Sequence, residues 1–380
     1  MREISSAQHL AFVTGRAAAS SVSFLQCPSW AAVKSGWGST SLGWYAEDGT
    51  LVGAGLVLLR RLPRIKRSLA YLPEGPVLDW GAQDLESWLV PMTEHLRSLG
   101  AFGIRMGPPV VRRRWSASTV KAALADDGVR RLGDVPADVV EPDAARVAAT
   151  LTRLGWRPPS TEEGFASGQP QYVFQVPLGD RDEAQLLAGF NQLWRRNIKK
   201  ADKLGVVVRQ GTADDLPAFH TLYLETATRD HFTPRPLSYF RQMWSAMRAE
   251  DPDRIRLYLA EHEGDLVAAT TLVRVGTHAW YSYGASSTAK REVRGSNAVQ
   301  WAMMRDSQAA GATVYDLRGI TDTLAGDDPH VGLIQFKLGT GGEAVEYLGE
   351  WDLPLNRLLH QLFLRYLGFR ALPGPTVRAL

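Results

Sequence analysis

Tyr45-Ala-Glu-Asp-Gly-Thr-Leu-Val-Gly-Ala54 is restated as Leu259-Ala-Glu-His-Glu-Gly-Asp-Leu-Val-Ala-Ala269, and this internal echo decides the fold. Each stretch reads as a strand, an acidic-Gly turn and a second apolar strand. The echo continues downstream. Leu99-Gly-Ala-Phe-Gly-Ile-Arg-Met106 matches Ala310-Gly-Ala-Thr-Val-Tyr-Asp-Leu317, each a helix end, a Gly break and a strand. From Ala46 to Gly100 is 54 residues, and from Ala260 to Gly311 is 51. Two copies of one α+β unit are therefore expected.

Composition agrees. With 380 residues, 45% hydrophobic and 22% charged, the chain is long enough for two domains, each with its own core. A net charge of +3 excludes wholesale nucleic-acid binding, so any basic surface must be a local patch. Cys27 is alone, which rules out an intramolecular disulfide and a multi-cysteine zinc site; it reads as a buried structural thiol. The eight histidines are scattered, with no H-E-x-x-H pattern and no nucleophilic triad, so no metal and no cofactor are expected. The uncharged stretch from Ala17 to Val33 is Ser-rich, broken by Pro28 and short of the roughly 20 apolar residues that span a bilayer. A cytoplasmic location follows as the expectation.

Between the copies, Pro158, Pro159 and the polar run Thr161 to Gln171 read as a loop or linker. A short strand is expected at Tyr172 to Val176, then a helix from about Glu183 to Leu204. Leu187, Phe190, Trp194, Ile198 and Ala201 recur at helical spacing and should face a core. Arg195, Arg196, Lys199, Lys200 and Lys203 fall mainly on the remaining face. That face is either simply solvated or able to track the phosphates of a nucleic-acid backbone or a diphosphate. After Pro354, the residues Leu355, Leu358, Leu359, Leu362, Phe363, Tyr366 and Leu367 form one stripe, with Arg357, Arg365 and Arg370 elsewhere. This helix either packs on the first domain or lies peripherally at the inner face of the plasma membrane.

Several further runs carry a resemblance. Trp194-Arg-Arg-Asn-Ile-Lys-Lys-Ala201, Thr226-Ala-Thr-Arg-Asp-His-Phe232, Arg235-Pro-Leu-Ser-Tyr239, Tyr281-Ser-Tyr-Gly-Ala285 and Phe336-Lys-Leu-Gly-Thr-Gly-Gly-Glu343 together resemble the Fem family. These are the peptidoglycan-bridge aminoacyltransferases grouped as FemABX. Phe24-Leu-Gln26, Trp30, Lys34 and Tyr71-Leu-Pro-Glu-Gly-Pro76 extend the resemblance toward the N-terminus, so it covers nearly the whole chain in family order. It implies two tandem domains similar to N-acetyltransferases (GNAT-like), with the C-terminal segment returning to the first. Here that means 1–170 with 350–380 as the acceptor-binding domain, and 171–349 as the domain holding the basic helix and the Phe-Lys motif. Some members insert a helical coiled-coil arm; the short spacing from Tyr239 to Arg256 resembles the armless type.

The implied reaction moves an amino acid from aminoacyl-tRNA to a stem-peptide side-chain amine of a peptidoglycan precursor. That precursor is lipid II or UDP-MurNAc-pentapeptide, and resemblance to high-GC bacterial members suggests glycine, with alanine or serine open. By resemblance Lys337, with Phe336 beside it, is the cation that stabilises the tetrahedral oxyanion. Read without the motif, Lys337 is a surface lysine after a buried strand Leu333 to Phe336. Lys34 and Arg235 are implied to bind the acceptor's diphosphate, with Tyr239 and a tyrosine of the pair Tyr281 and Tyr283 nearby. Pro236 suits a first helical turn, which places Arg235 near a helix N-terminus. Alternation does not decide which tyrosine faces the ligand.

No general base is visible; Asp230, His231 and Asp316 read as structural or helix-end residues. Three alternatives stay open. The same chemistry could act on a peptidyl antibiotic, and a non-catalytic tRNA-binding protein would use the basic helix alone. An acyl-CoA-dependent N-acyltransferase would share the fold. Glu292-Val-Arg-Gly-Ser-Asn297 lacks the first Gln/Arg and the last small residue of a coenzyme pyrophosphate loop, which argues against that third reading.

Overall fold

A computed structural model describes residues 1–63, 65–159, 168–326, 328 and 331–371, with side chains as far as 365 in the last helix. The strands are β1 (Arg2–Glu3), β2 (Gly38–Tyr45), β3 (Leu51–Arg61), β4 (Ser68–Leu72), β5 (Ala101–Met106), β6 (Val111–Ser116), β7 (Val139–Val140), β8 (Tyr172–Pro177), β9 (Val207–Gly211), β10 (Ile255–His262), β11 (Asp265–Val275), β12 (His278–Ser286), β13 (Val314–Gly319), β14 (Glu343–Tyr347) and β15 (Trp351–Pro354). The helices are α1 (Ser6–Ala17), α2 (Ser29–Val33), α3 (Glu86–Ser98), α4 (Ala117–Leu124), α5 (Pro142–Arg153), α6 (Glu183–Gly189), α7 (Gln192–Lys203), α8 (Leu216–Asp230), α9 (Leu237–Glu250), α10 (Gly295–Ala309), α11 (Val331–Leu338) and α12 (Arg357–Ala371).

The two echoes build the same motif. Hairpin β2–β3 continues antiparallel into β4, then α3 crosses over and β5 returns parallel to β4. Hairpin β10–β11 continues antiparallel into β12, then α10 crosses over and β13 returns parallel to β12. Local chemistry sets both hairpins. Glu263 and Gly264 sit at φ of 51° and 84°, the pair of left-handed positions that a two-residue turn matching strand twist requires. The fold is thus α+β with two tandem GNAT-like lobes, and no coiled-coil arm occurs among the described residues.

The sheets run β1-β2-β3-β4-β5-β15 and β7-β6-β14-β8-β13-β12-β11-β10-β9. This division differs from the expected boundary. Residues 111–140 lie in the first domain by sequence order, yet β6 pairs with β14 in the second sheet. Trp115, Val120, Ala123 and Leu132 of the same segment are buried in the second core with Phe174 and Tyr315. β15 hydrogen-bonds to β5, returning the chain to the first sheet. A third core joins the lobes: Phe24, Trp30, Leu56 and Tyr71 pack with Met243, Val273 and Trp280.

Two local expectations are corrected. The helix expected over 183–204 is two helices, because Phe190 is extended (ψ 148°) and Asn191 caps α7, its side-chain oxygen accepting the Trp194 N–H at 2.9 Å. Phe190, Trp194 and Ala201 are buried, and Leu187 and Ile198 pack against the core that holds Phe190 and Trp194, so the core face itself stands. The stretch Leu333 to Phe336 is helical rather than a strand. Cys27 is buried. Part of the loop between the copies, 160–167, lies outside the described residues, as do the side chains of Tyr366, Leu367 and Arg370. The C-terminal helix α12 packs on the first lobe: Asn356 caps it, and Phe363 meets Phe102 edge-on with ring centroids 5.3 Å apart. No described helix is long and apolar enough to cross a membrane.

Candidate active site

Four of the expected residues converge where the lobes meet. Lys34 ends α2, and its ammonium lies over the rings of Trp30 and Tyr239 at 5.0 and 5.6 Å. The Arg235 guanidinium covers Tyr239 at 5.5 Å, just before the first turn of α9. The Tyr239 and Tyr283 hydroxyls are 3.0 Å apart. Burial, and then the neighbouring Arg235 charge, pull the Lys34 ammonium down to about 8. Burial and the Tyr283 neighbour push the Tyr239 phenol up. No carboxylate pairs with Lys34 or Arg235 among the described residues. Two like charges held close without a counter-ion, beside a helix N-terminus, form a site for an anion.

Tyr281 is not part of that cluster. A bulge opposite Thr271 and Leu272 leaves Ser282 unpaired, so Tyr283 faces the lobe junction while Tyr281 packs toward the second core. Without the bulge, i and i+2 residues would share a face.

Tyr281 instead borders a groove of about 790 Å³ in the second lobe. β12 and β13 pair only over 278–280 and 314–316 and then part, which opens the sheet on this side. Trp194, Leu193 and Asn197 of α7, the first turn of α10 and Phe336 of α11 complete the walls; Arg291 and Arg294 supply positive charge, while Arg229 is paired with Asp230 and Lys290 with Glu263 and Asp265. Lys290 and Arg294 both adopt left-handed φ, at 53° and 64°. The buried Asn297 amide nitrogen near the start of α10 has no partner among the described residues. Of the five α7 cations, Arg196 and Lys200 lie on the stripe of Leu193 and Asn197 (i+3, i+4 and i+7), whereas Arg195 and Lys199 lie on another. Lys203 continues the first stripe one turn on from Lys200 and two from Arg196, at the exposed end of the helix.

Lys337 is not a surface residue. It is 3% exposed, and its ammonium donates to the carbonyls of Gly319 at 2.6 Å and Arg318 at 3.2 Å. Burial pulls it down to about 7; Asp316 opposes that shift and Arg318 adds to it. An ammonium has three N–H donors, and two are taken. Lys337 does not itself line either large cavity beside it: its side chain turns to the end of β13, in the wall between the groove and the lobe junction. Its helix is fixed from both ends of the contact with α7. The Trp194 indole donates to the Phe336 carbonyl at 2.8 Å, and the Asn191 N–H donates to Gly339 at 2.9 Å.

On the other side of that wall is a cavity of about 300 Å³ between the lobes, lined by Glu74, Gln175, His278, Asp316, Arg318, Glu343, Tyr347 and Glu350 among others. Arg318 crosses it, donating to Glu74 at 2.9 Å and to Gln169 at 2.9 Å. Glu74 and Arg318 both hold left-handed φ, at 46° and 62°. Burial pushes the Asp316 carboxyl up, but His278, Arg318 and Gln175 outweigh it and leave it below its usual range. Burial pushes Glu350 up, although Tyr71 donates to it at 2.6 Å. Asp230 pairs with Arg229 at 2.8 Å at the edge of the second-lobe groove, and His231 ends α8 at φ 56°. Sequence reading assigned nothing to Glu74, Gln175 or Arg318. Glu74 stands inside a quoted motif, and Arg318 follows the second echo at the end of its strand, which was the available signal.

The FemAB family matches residues 4–263 and 257–365. The lipid II:glycine glycyltransferase of Staphylococcus epidermidis is 24% identical over 423 aligned positions, covering 94% of each chain. The Staphylococcus aureus protein of the same name is 24% identical over 413, covering 89% of each. A crystal structure of FemX superimposes with a TM-score of 0.79 at 22% identity, over 96% of this chain and 99% of the other. The C-terminal domain of a putative lysylphosphatidylglycerol synthetase from Agrobacterium fabrum gives 0.52 at 14% identity, over 99% and 100%.

Proposed function

This chain belongs to the FemAB family, and from that premise we propose that it is an aminoacyltransferase that moves glycine from aminoacyl-tRNA to the stem-peptide amine of a lipid-linked peptidoglycan precursor. The observation that carries the reading is the position of α11. It separates an electropositive groove from the lobe junction and carries a buried lysine with one N–H to spare.

The acceptor's diphosphate takes the place of the missing counter-ion at Lys34 and Arg235, held beside Tyr239 and Tyr283. Its stem peptide runs into the cavity between the lobes, where carboxylates favour an incoming amine. The tRNA 3′ end enters the second-lobe groove, with its phosphates near Arg291, Arg294 and the first turn of α10 and its acceptor stem along Arg196, Lys200 and Lys203.

The amine then attacks the ester carbonyl. A C–N bond forms, the carbonyl oxygen becomes an oxyanion, and collapse expels the ribose oxygen, which takes up the proton that the amine loses. The oxyanion forms at the wall between the two cavities, and the uncommitted third N–H of Lys337 inside that wall stabilises it; removing such a donor typically costs about 3 kcal/mol. An aminoacyl ester is already activated, so positioning carries much of the remainder. Glycine and the lipid-linked acceptor rest on the names of the relatives, and the tRNA donor on the motifs and the groove.

The test is a reconstituted assay with charged total tRNA, a panel of radiolabelled amino acids, and both lipid-linked and nucleotide-linked precursors. Incorporation of glycine into the lipid-linked precursor is expected. Incorporation of no amino acid into either precursor would remove the proposal. An equally active Lys337→Met variant would remove the role of Lys337.

A further inference from the structure

We infer that the outer side of α12 together with the β3–β4 loop is a docking face for an anionic lipid bilayer. The inner side of α12 is accounted for: Leu359, His360, Phe363 and Leu364 turn into the first lobe. The outer side is not covered by any described element. Leu358 is 67% exposed and Leu362, one turn on, is 51% exposed, flanked by the exposed Arg357 and Arg365. The β3–β4 loop adjoins this surface, because Leu62 packs with Leu359 against the Leu69, Phe102 and Phe363 cluster. That loop presents Ile65, 48% exposed, next to exposed Lys66 and Arg67.

The two segments share a charge pattern as well as a location. No Asp or Glu occurs from Leu51 to Pro73 or after Asp352, so the face combines apolar tips with cations and carries no acid of its own. Leucines that enter the acyl boundary and arginines that meet anionic headgroups are what an interfacial helix requires. A polyanion such as RNA would use the cations and leave the leucines unexplained.

A second observation ties this face to the candidate active site. The Arg60 guanidinium lies between the rings of Trp37, at 5.5 Å, and Phe363 of α12, at 5.4 Å. The Trp37 N–H donates to the carbonyl of Lys34 at 2.8 Å. One side chain therefore connects the docking helix to the turn that presents Lys34. A bilayer on this face would bring headgroup phosphates toward the Lys34 and Arg235 pair, where a lipid-linked diphosphate has to arrive. This step rests on the function proposed above.

The experiment measures co-sedimentation of the full chain with vesicles of phosphatidylglycerol and phosphatidylcholine in equal parts, and with pure phosphatidylcholine. It compares wild type with Leu358→Glu/Leu362→Glu and Arg357→Glu/Arg365→Glu. Wild type should bind the anionic vesicles, and each double variant should bind them roughly tenfold more weakly or worse. Thermal unfolding and transfer to the lipid-linked precursor in detergent solution should match wild type, while transfer to the same precursor in vesicles falls. Wild type that binds anionic vesicles no better than neutral ones would overturn the inference. So would variants that bind like wild type, which would leave the face to a protein partner. Face-dependent vesicle binding without transfer to either precursor would uphold the docking face and sink the functional reading.

Discussion

Lys337 illustrates how a single side chain trades stability against chemistry. Replacing it by Met should lower the rate of aminoacyl transfer about a hundredfold or more while leaving tRNA affinity unchanged, as filter binding beside single-turnover kinetics would measure. Its titration gives a second expectation. Burial holds the folded-state value near 7 against an ordinary 10.5, so the unfolded chain binds more protons between those limits. The cost of the buried cation is then fully present below about pH 7 and fades as pH rises toward 10.5. Wild type should gain stability relative to Lys337→Met between about pH 7 and pH 9, a trend that denaturant melts at several pH values would read. Only part of this site was legible in sequence. Lys34, Arg235 and Tyr239 stand in recognisable runs, but the choice between Tyr281 and Tyr283 depends on the bulge at Ser282, and one extra residue in a ladder leaves no local signature.

At the scale of elements, α7 separates a ligand face from a solvated one. Arg196→Glu/Lys200→Glu should weaken tRNA binding by about tenfold or more and flatten its salt dependence. Arg195→Glu/Lys199→Glu, on the stripe away from the groove, should have a much smaller effect. The comparison uses equal charge changes on one helix, so net electrostatics cannot explain a difference. The hairpins were legible because turn chemistry and alternation are local. Two elements were misread for different reasons. The break at Phe190 and Asn191 preserves the apolar spacing across it, so periodicity alone continued the helix. Val331–Leu338 buries Val331, Ile334 and Lys337, and a lysine at the third buried position hides the helical repeat that would distinguish a short apolar run from a strand.

At the scale of the molecule, Glu74 and Arg318 join the lobes through one ion pair across the cavity. Removing either partner should cost about 2 to 3 kcal/mol of unfolding free energy, and the double variant should cost less than the sum of the two. Arg318→Ala should also move the alkaline limb of the transfer rate upward, because the Arg318 charge is one of the forces that lower Lys337. Pure destabilisation would not shift that limb.

The domain boundary was the least legible feature, since no residue within Val111–Ser116 announces which sheet it joins. That placement of β6 has a consequence during synthesis. β6 leaves the ribosome early, but its partner β14 begins only at Glu343. At ordinary elongation rates the strand waits on the order of ten to fifty seconds with its edge unpaired. A nascent chain of this kind is a natural client for a chaperone, and neither half of the gene should yield a soluble product by itself.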